Sequence, residues 1–445
     1  MERNLKSTMS KLAINGGQPV RTRLFPAYRT IGIEEKRAVN RVLDSGVLSR
    51  YLGSWHQGFY GGPEVQAFEK EWARYFKVKH AVAVNSASSA IQAALGAVGI
   101  GPGDEVIVTP YSMCISATAP LFYGAIPVFA DIEEDYFCLN PASIEKKITN
   151  RTKAIIAVDL FGQPYDADAI NKLAKKHNLL VIEDAAQAPG AKHKGKFAGT
   201  LGDIGIYSLN YHKHIHTGEG GVIVTDNDEW AKRLRLIRNH AEAAIEDAKT
   251  KDLTNMVGYN FRMTEIQAAI GREQLKKLRA LLKKRVKNCE YIASRLARIP
   301  CIIAPKIRKG VSHAYYVHAF RFDENKAGIS RDKFIEAVRA ELAPTQTRED
   351  EGPLVSFGYV KPLYRMPVFQ RKTGFGKANY PFNLPNGRKV SYKRGLCPVA
   401  ERMHYKELFF HDIMHSFISR EDADDVIGAF IKVYKNIEQL ITYGK

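Results

Sequence analysis

From about residue 79 onward, short and almost wholly apolar runs alternate with stretches whose apolar residues recur every three or four positions. The short runs, at 80–84, 105–109, 126–130, 153–159 and 179–183, predict strands. Between them, 87–98, 115–123 and 167–177 predict helices. Strands that are apolar on both faces and separated by helices belong to a largely parallel sheet covered on both sides. Two further strand-like runs, 204–210 and 221–225, bracket the segment 211–220.

The pattern then changes. Leu275, Leu278, Leu282, Cys289, Ile292 and Leu296 fall at steps of three, four or seven, which lays one apolar stripe along a helix whose other face is Lys and Arg. That helix marks the passage into a second unit. The expected division is a large domain with an N-terminal arm over 1–274 and a smaller C-terminal α+β domain over 275–445. A chain of 445 residues exceeds one ordinary core, in keeping with two units. A closing helix, N-capped by Ser419, turns Val426, Phe430, Ile437 and Leu440 inward. Residues 372–394 are rich in Gly, Lys, Asn and Pro and predict a long loop or insertion.

Charge and cysteine content narrow the partners. A net charge of +19 favours acidic ones: nucleic acid, an anionic membrane surface or phosphorylated small molecules. The basic residues are scattered, in clusters no larger than Lys283-Lys284-Arg285, with no interleaved aromatic platform, which points away from nucleic acid. The five cysteines (Cys114, Cys138, Cys289, Cys301, Cys397) include no Cys-x-x-Cys pair, which argues against a disulfide framework or zinc site and suits a reducing compartment. Residues 1–11 are polar and no apolar run approaches membrane-spanning length, so a cytoplasmic protein without a membrane partner is expected.

Ligands of an open parallel sheet bind beyond the carboxyl ends of its strands. After the first strand come Asn85, Ser86, Ala87, Ser88 and Ser89, small residues opening a helix whose free N–H groups can seat a phosphate, or whose serines simply cap it. The run 179–182 leads straight into Glu183 and Asp184, carboxylates that burial disfavours unless a cation meets them. A protonated pyridine nitrogen would be such a cation; a helix-capping role is the alternative. Lys213 lies between two strands, just before the glycine-rich turn 218–221, where burial would make its amine nucleophilic. His212, His214 and His216 alternate around it and would share one face of an extended segment, as a metal site requires. No carboxylate or cysteine joins them at matching spacing, so one imidazole lining an active site is the better reading.

In this order these residues resemble the fold-type I enzymes of pyridoxal 5'-phosphate (PLP), and specifically the DegT/DnrJ/EryC1/StrS family of sugar aminotransferases. The resemblance runs from about Phe25 to the last helix. Its strongest stretches are Gly101-Pro-Gly-Asp-Glu-Val-Ile-Val108, Gly124-Ala-Ile-Pro-Val-Phe129, Phe161-Gly-Gln-Pro164 and Glu183-Asp-Ala-Ala-Gln-Ala188. Gly199-Thr-Leu-Gly-Asp203, the segment 208–221 and Gly258-Tyr-Asn-Phe-Arg-Met-Thr-Glu265 complete it.

The resemblance implies an α/β fold and the following roles. Lys213 is the cofactor-attachment lysine and general acid/base, Asp184 the partner of the pyridinium nitrogen, and Gln187 the neighbour of the ring hydroxyl. Ser88 and Ser208 bind the phosphate, within a turn that includes Ser86 and Ala87. Asn260 reaches the phosphate of a second subunit, which implies a homodimer with composite sites. Glutamate or glutamine would donate the amino group and a keto-sugar, nucleotide-linked, would accept it.

Three departures stand out. Ser86-Ala87-Ser88 replaces the family's usual Ser-Gly-Thr, the insertion at 372–394 is unusual, and the position of the ring-stacking aromatic falls on Cys114, with Tyr111 and Met113 as neighbours that could serve instead. A PLP-dependent sugar dehydratase, in which histidine replaces the lysine, and a non-catalytic PLP-binding regulator are the rival readings.

Overall fold

The structure is a computed structural model describing residues 10–384 and 389–441. Most of the polar stretch read at 1–11, residues 385–388 of the expected insertion and residues 442–445 lie outside them.

Seven strands form the central sheet. Their spatial order is His80–Val84 (β1), Gly221–Thr225, Ile204–Ser208, Leu180–Asp184 (β5), Thr152–Val158 (β4), Glu105–Val108 (β2) and Ile126–Phe129 (β3). The five strands from Ile204–Ser208 to β3 run parallel, while Gly221–Thr225 is antiparallel to both of its neighbours. Helices Ala87–Ala97, Ile115–Phe122 and Ala167–Lys176 lie where the periodicity puts them. The Ile204–Ser208 strand stops two residues short of the run read at 204–210, because the chain there turns outward.

Register brings the strand ends together. Gly221 sits between Val84 on one side and Ser208 on the other, and Asp184 pairs with Ile206 on the next strand. A Cβ at Gly221 would fall 2.6 Å from the Ser86 carbonyl carbon and oxygen and 2.8 Å from the Ala87 nitrogen. Only glycine lets the strand pass this close to the turn after β1.

The second sheet is antiparallel, in the order Ile302–Ile303, His318–Phe322, Leu408–His411, Val355–Phe357. It packs with helices Arg331–Ala340 and Arg420–Lys435 around Phe320, Phe334, Phe409 and Phe430. Ser419 caps the last of these helices, but Ile437 lies beyond its end and is only half-buried.

The expected boundary at 274/275 falls inside a helix. Helix Glu265–Leu296 is continuous across it, starting at a Thr264/Gln267 capping box. Its first half packs Leu275 and Leu278 under the central sheet, while Cys289, Ile292 and Leu296 enter the second core. The N-terminal arm docks on the C-terminal unit: Leu12 and Phe25 are buried in the second core, and Arg21 pairs with Asp422 at 2.7 Å and Asp425 at 2.8 Å.

The chain around the insertion returns to the first core. Tyr364, Phe369 and Tyr392 surround Phe129, and the Tyr392 hydroxyl donates to the Pro127 carbonyl at 2.9 Å. This segment covers β3, the outermost strand, and shields its edge from pairing with other chains.

Gly221→Ala should lower stability by roughly 1–3 kcal/mol through overpacking against the turn after β1. Urea unfolding should show a lower midpoint with an unchanged slope; an unmoved midpoint would mean the turn relaxes freely.

Candidate active site

Asp184 ends β5 with its carboxylate buried. Its Oδ1 accepts from the Ala186 N–H at 3.1 Å and its Oδ2 from the Ser116 hydroxyl at 3.3 Å. Burial pushes its carboxyl up; the Ala186 N–H, the Lys213 amine and Ser116 each hold it down by less. Two modest hydrogen bonds leave a desolvated carboxylate under-compensated, and a cation is what would complete it.

Lys213 lies on a turn after the Ile204–Ser208 strand, its backbone N–H donating to the Asn210 carbonyl at 2.9 Å. Its amine stands 4.0 Å from the centre of the Tyr316 ring. Burial pushes the amine down to about 8, with Asp184 opposing that shift. A lysine in this state has a far larger neutral fraction near neutral pH than an exposed lysine, as a nucleophilic amine requires.

The turn after β1 builds an anion seat. Ser86 caps helix Ala87–Ala97, its Oγ accepting from the Ser89 N–H at 3.0 Å. Ala87 is half-buried, and the exposed Ser88 side chain has no hydrogen-bond partner among the described residues. Ser208, buried across Gly221, offers an Oγ that otherwise accepts only a long bond from the Asn210 N–H at 3.3 Å. Helix N–H groups plus free hydroxyls suit a phosphate.

Other expected residues fall nearby. Gln187 spends its Oε1 on the Phe161 N–H at 2.7 Å and donates its Nε2 to the Tyr359 hydroxyl at 3.2 Å. Cys114 is half-buried at the N-terminal end of helix Ile115–Phe122. Tyr111 is fully buried edge-on to Phe161 and Tyr359, and Met113 is 61% exposed. Asn260 is exposed, and its carbonyl accepts from the Asn85 side chain at 3.4 Å, so its segment passes beside the anion seat.

The histidines around Lys213 do not share a face, because residues 211–215 form a turn rather than an extended strand. His214 is buried with Nε2 2.8 Å from the Ala314 carbonyl, His216 is half-buried, and His212 lines a cleft. Among the described residues no group of three or more His, Cys, Asp or Glu could hold a metal.

That cleft, beside Lys213, has a volume of about 230 Å³ and is walled by Tyr28, Arg285, Tyr316, Arg348 and Asp412 as well as His212. A second lobe of about 240 Å³ continues past Tyr359 and Phe410. Ser116, Tyr316, Arg348 and Asp412 escaped the sequence reading. Each is an ordinary residue type in an unremarkable run, and only the fold brings them to Lys213.

The chain is similar to known proteins along most of its length. A sequence profile of the DegT/DnrJ/EryC1/StrS aminotransferase family matches residues 31–430. The spore coat polysaccharide biosynthesis protein SpsC of Bacillus subtilis (strain 168) is 35% identical over 415 residues, covering 92% of this chain and 96% of its own. GDP-perosamine synthase of Caulobacter vibrioides is 41% identical over 280 residues, 63% of this chain and 74% of that protein. The X-ray structure of an aminotransferase from Psychrobacter cryohalolentis superposes with a TM-score of 0.77 at 30% identity, covering 94% of this chain and 100% of that one.

At saturating PLP, the rate of cofactor attachment to the cofactor-free protein should climb with pH and level off above about 8, because only the neutral amine reacts. Since Asp184 favours the charged amine, Asp184→Asn should move that inflection lower. A wild-type inflection near that of a free lysine would contradict a buried amine.

Proposed function

The chain belongs to the DegT/DnrJ/EryC1/StrS aminotransferase family, and we propose that it uses Lys213 and Asp184 to move an amino group from glutamate or glutamine to a nucleotide-linked keto-sugar. PLP is the cofactor of this family; when bound it supplies the electron sink that lets a proton leave the amine-bearing carbon. The observation that carries the assignment is the buried Asp184 carboxylate at the end of β5, with two modest hydrogen bonds, facing the turn that holds Lys213 against the Tyr316 ring.

In this reading Lys213 would hold the cofactor and, once freed by the donor's amine, would act as the general acid/base that carries a proton on its Nζ. Asp184 would meet the ring nitrogen and Gln187 the ring hydroxyl. Ser86, Ala87, Ser88 and Ser208 would hold the phosphate, Cys114 would stand at the ring, and Asn260 would reach the phosphate of a second copy in a homodimer. Lys213, and not a neighbouring histidine, is the group coupled to Asp184, which favours transamination over dehydration. The nucleotide-linked acceptor rests on relatives such as GDP-perosamine synthase and on the +19 net charge. Five free cysteines suit the cytosol as its setting.

Two experiments test this. Borohydride reduction of the PLP-loaded protein should fix the cofactor on Lys213, and Lys213→Ala should abolish that label and cut turnover on the order of 10³-fold or more. Label on another lysine would overturn the assignment. For the dimer, Asn260→Ala should be impaired about tenfold to a hundredfold by loss of a hydrogen bond to a charged group. Mixing it with Lys213→Ala protein should then restore activity, because a mixed dimer holds one site with neither defect. A mixture that stays dead despite demonstrated subunit exchange would place Asn260 in its own subunit's site.

A further inference from the structure

We propose that Asp412 and Arg348 form a carboxamide-reading pair that makes glutamine, rather than glutamate, the amino donor. The inference rests on the aminotransferase reading above and identifies its donor.

Tyr316, whose ring carries the Lys213 amine, lines both lobes of the cleft, and so do His212, Arg348 and Asp412. A donor whose amine meets Lys213 beside Tyr316 and whose side chain enters either lobe would lie against these residues. Asp412 directly follows strand Leu408–His411. Among the described residues its carboxylate accepts no hydrogen bond: Oδ1 is closed off from solvent without a partner, and Oδ2 stands 3.7 Å from Arg348 Nη1, beyond hydrogen-bonding distance. Burial pushes the carboxyl up, with Arg348 and Arg285 opposing. Buried polar groups in folded proteins are almost always hydrogen-bonded, so a carboxylate at a cleft that has only a long ion pair to Arg348 on one oxygen and no partner on the other calls for a ligand atom.

Arg348 is held so as to complement it. Its Nε and Nη2 both donate to Glu351, each at 2.6 Å, which fixes the guanidinium plane and leaves Nη1 turned toward Asp412. Arg285 is fixed separately, its Nη1 donating to the Tyr315 and Tyr316 carbonyls at 2.9 and 3.3 Å. The cleft thus presents one acceptor and one donor side by side.

A carboxamide is the matching group, its N–H₂ donating to Asp412 and its C=O accepting from Arg348. A carboxylate has acceptors only, and one of its oxygens would face the charge of Asp412 in a low-dielectric site. Specificity of this kind comes as much from the repulsion as from the fit.

The test uses the PLP-loaded protein, with glutamine and glutamate as probes. Dissociation constants are taken from absorbance titration of the donor half-reaction, and ligand binding is read independently as the shift in melting temperature. The wild type should bind glutamine about tenfold to a hundredfold more tightly than glutamate, the range expected for one charged hydrogen bond. Asp412→Asn, whose amide can turn either its N–H₂ or its C=O to the ligand, should bring that ratio close to one. Asp412→Leu, which replaces a buried charge with a similar apolar volume and so keeps the fold, should lose the preference by weakening glutamine.

A wild type without preference, or variants that keep the wild-type ratio in both readouts, would overturn the proposal and leave Asp412 as a partner of Arg348 alone. If neither amino acid converts bound PLP to pyridoxamine phosphate in the wild type, the aminotransferase reading falls first, before any variant is considered.

Discussion

A carboxylate at the end of a buried, apolar strand is expensive to keep ionised, and three of them stand at neighbouring strand ends here: Asp159 after β4, and Glu183 and Asp184 on β5. Strand alternation sends Glu183 to the opposite face from Asp184. Glu183 Oε2 accepts from the Leu201 and Gly202 N–H groups at 2.7 and 3.0 Å, while the Glu183 and Asp159 carboxyls, both buried, face each other as a pair. Burial pushes Asp159 well up, with Glu183 adding to the shift, and burial pushes Glu183 up as well. Asp184, on the other face of β5, is the carboxylate left to seek a cation on the open face of the site. Lys213 approaches it there, and a protonated ring nitrogen would complete it.

The same constraint explains why the sheet reverses direction once. A phosphate seat at the end of β1 must come within a small molecule's length of Asp184 at the end of β5, with Ile204–Ser208 between them. Inserting Gly221–Thr225 antiparallel puts Gly221 beside both Val84 and Ser208. The connection 209–220 then stays on the carboxyl side of the sheet, and it carries Lys213. Asp184, Ser208 and the turn after β1 are thereby placed by backbone register rather than by flexible connections.

What the sequence made legible follows from this. The strands and helices of the central sheet were readable to within a residue or two because burial on both faces leaves only apolar choices there. Asp184 and Lys213 drew attention because polar residues stand out beside such runs, whereas Ser208 entered only through the family resemblance. The start of the long helix was also written in the chain, as Thr264-Glu265-Ile266-Gln267, a capping box that the apolar stripe from Leu275 onward obscured. Ser116, Tyr316, Arg348 and Asp412 carried no such mark. Their partners lie tens to hundreds of residues away, and neither periodicity nor composition encodes a contact of that kind. The extended face assumed for the three histidines failed for a local reason: the Lys213 N–H bonds the Asn210 carbonyl and closes a turn.

Chemistry and selection come from different parts of the chain, and the N-terminal arm joins them. Lys213 and Asp184 belong to the central sheet, whereas Arg348 and Asp412 come from the later unit. The arm crosses between the two: the Tyr28 hydroxyl donates to the His214 carbonyl at 2.5 Å, and His415 Nε2 lies 3.1 Å from the Pro26 carbonyl. Arg285 stacks over the Tyr28 ring at 5.1 Å while donating to the backbone that carries Tyr316. These ties run through the side chains of Tyr28, Arg285 and His415, which themselves line the cleft, so the residues that join the arm to the two units also set the cleft's wall. Arg348 and Asp412 take no part in those ties, so a change at either alters the cleft's polarity without cutting the contacts that hold its wall.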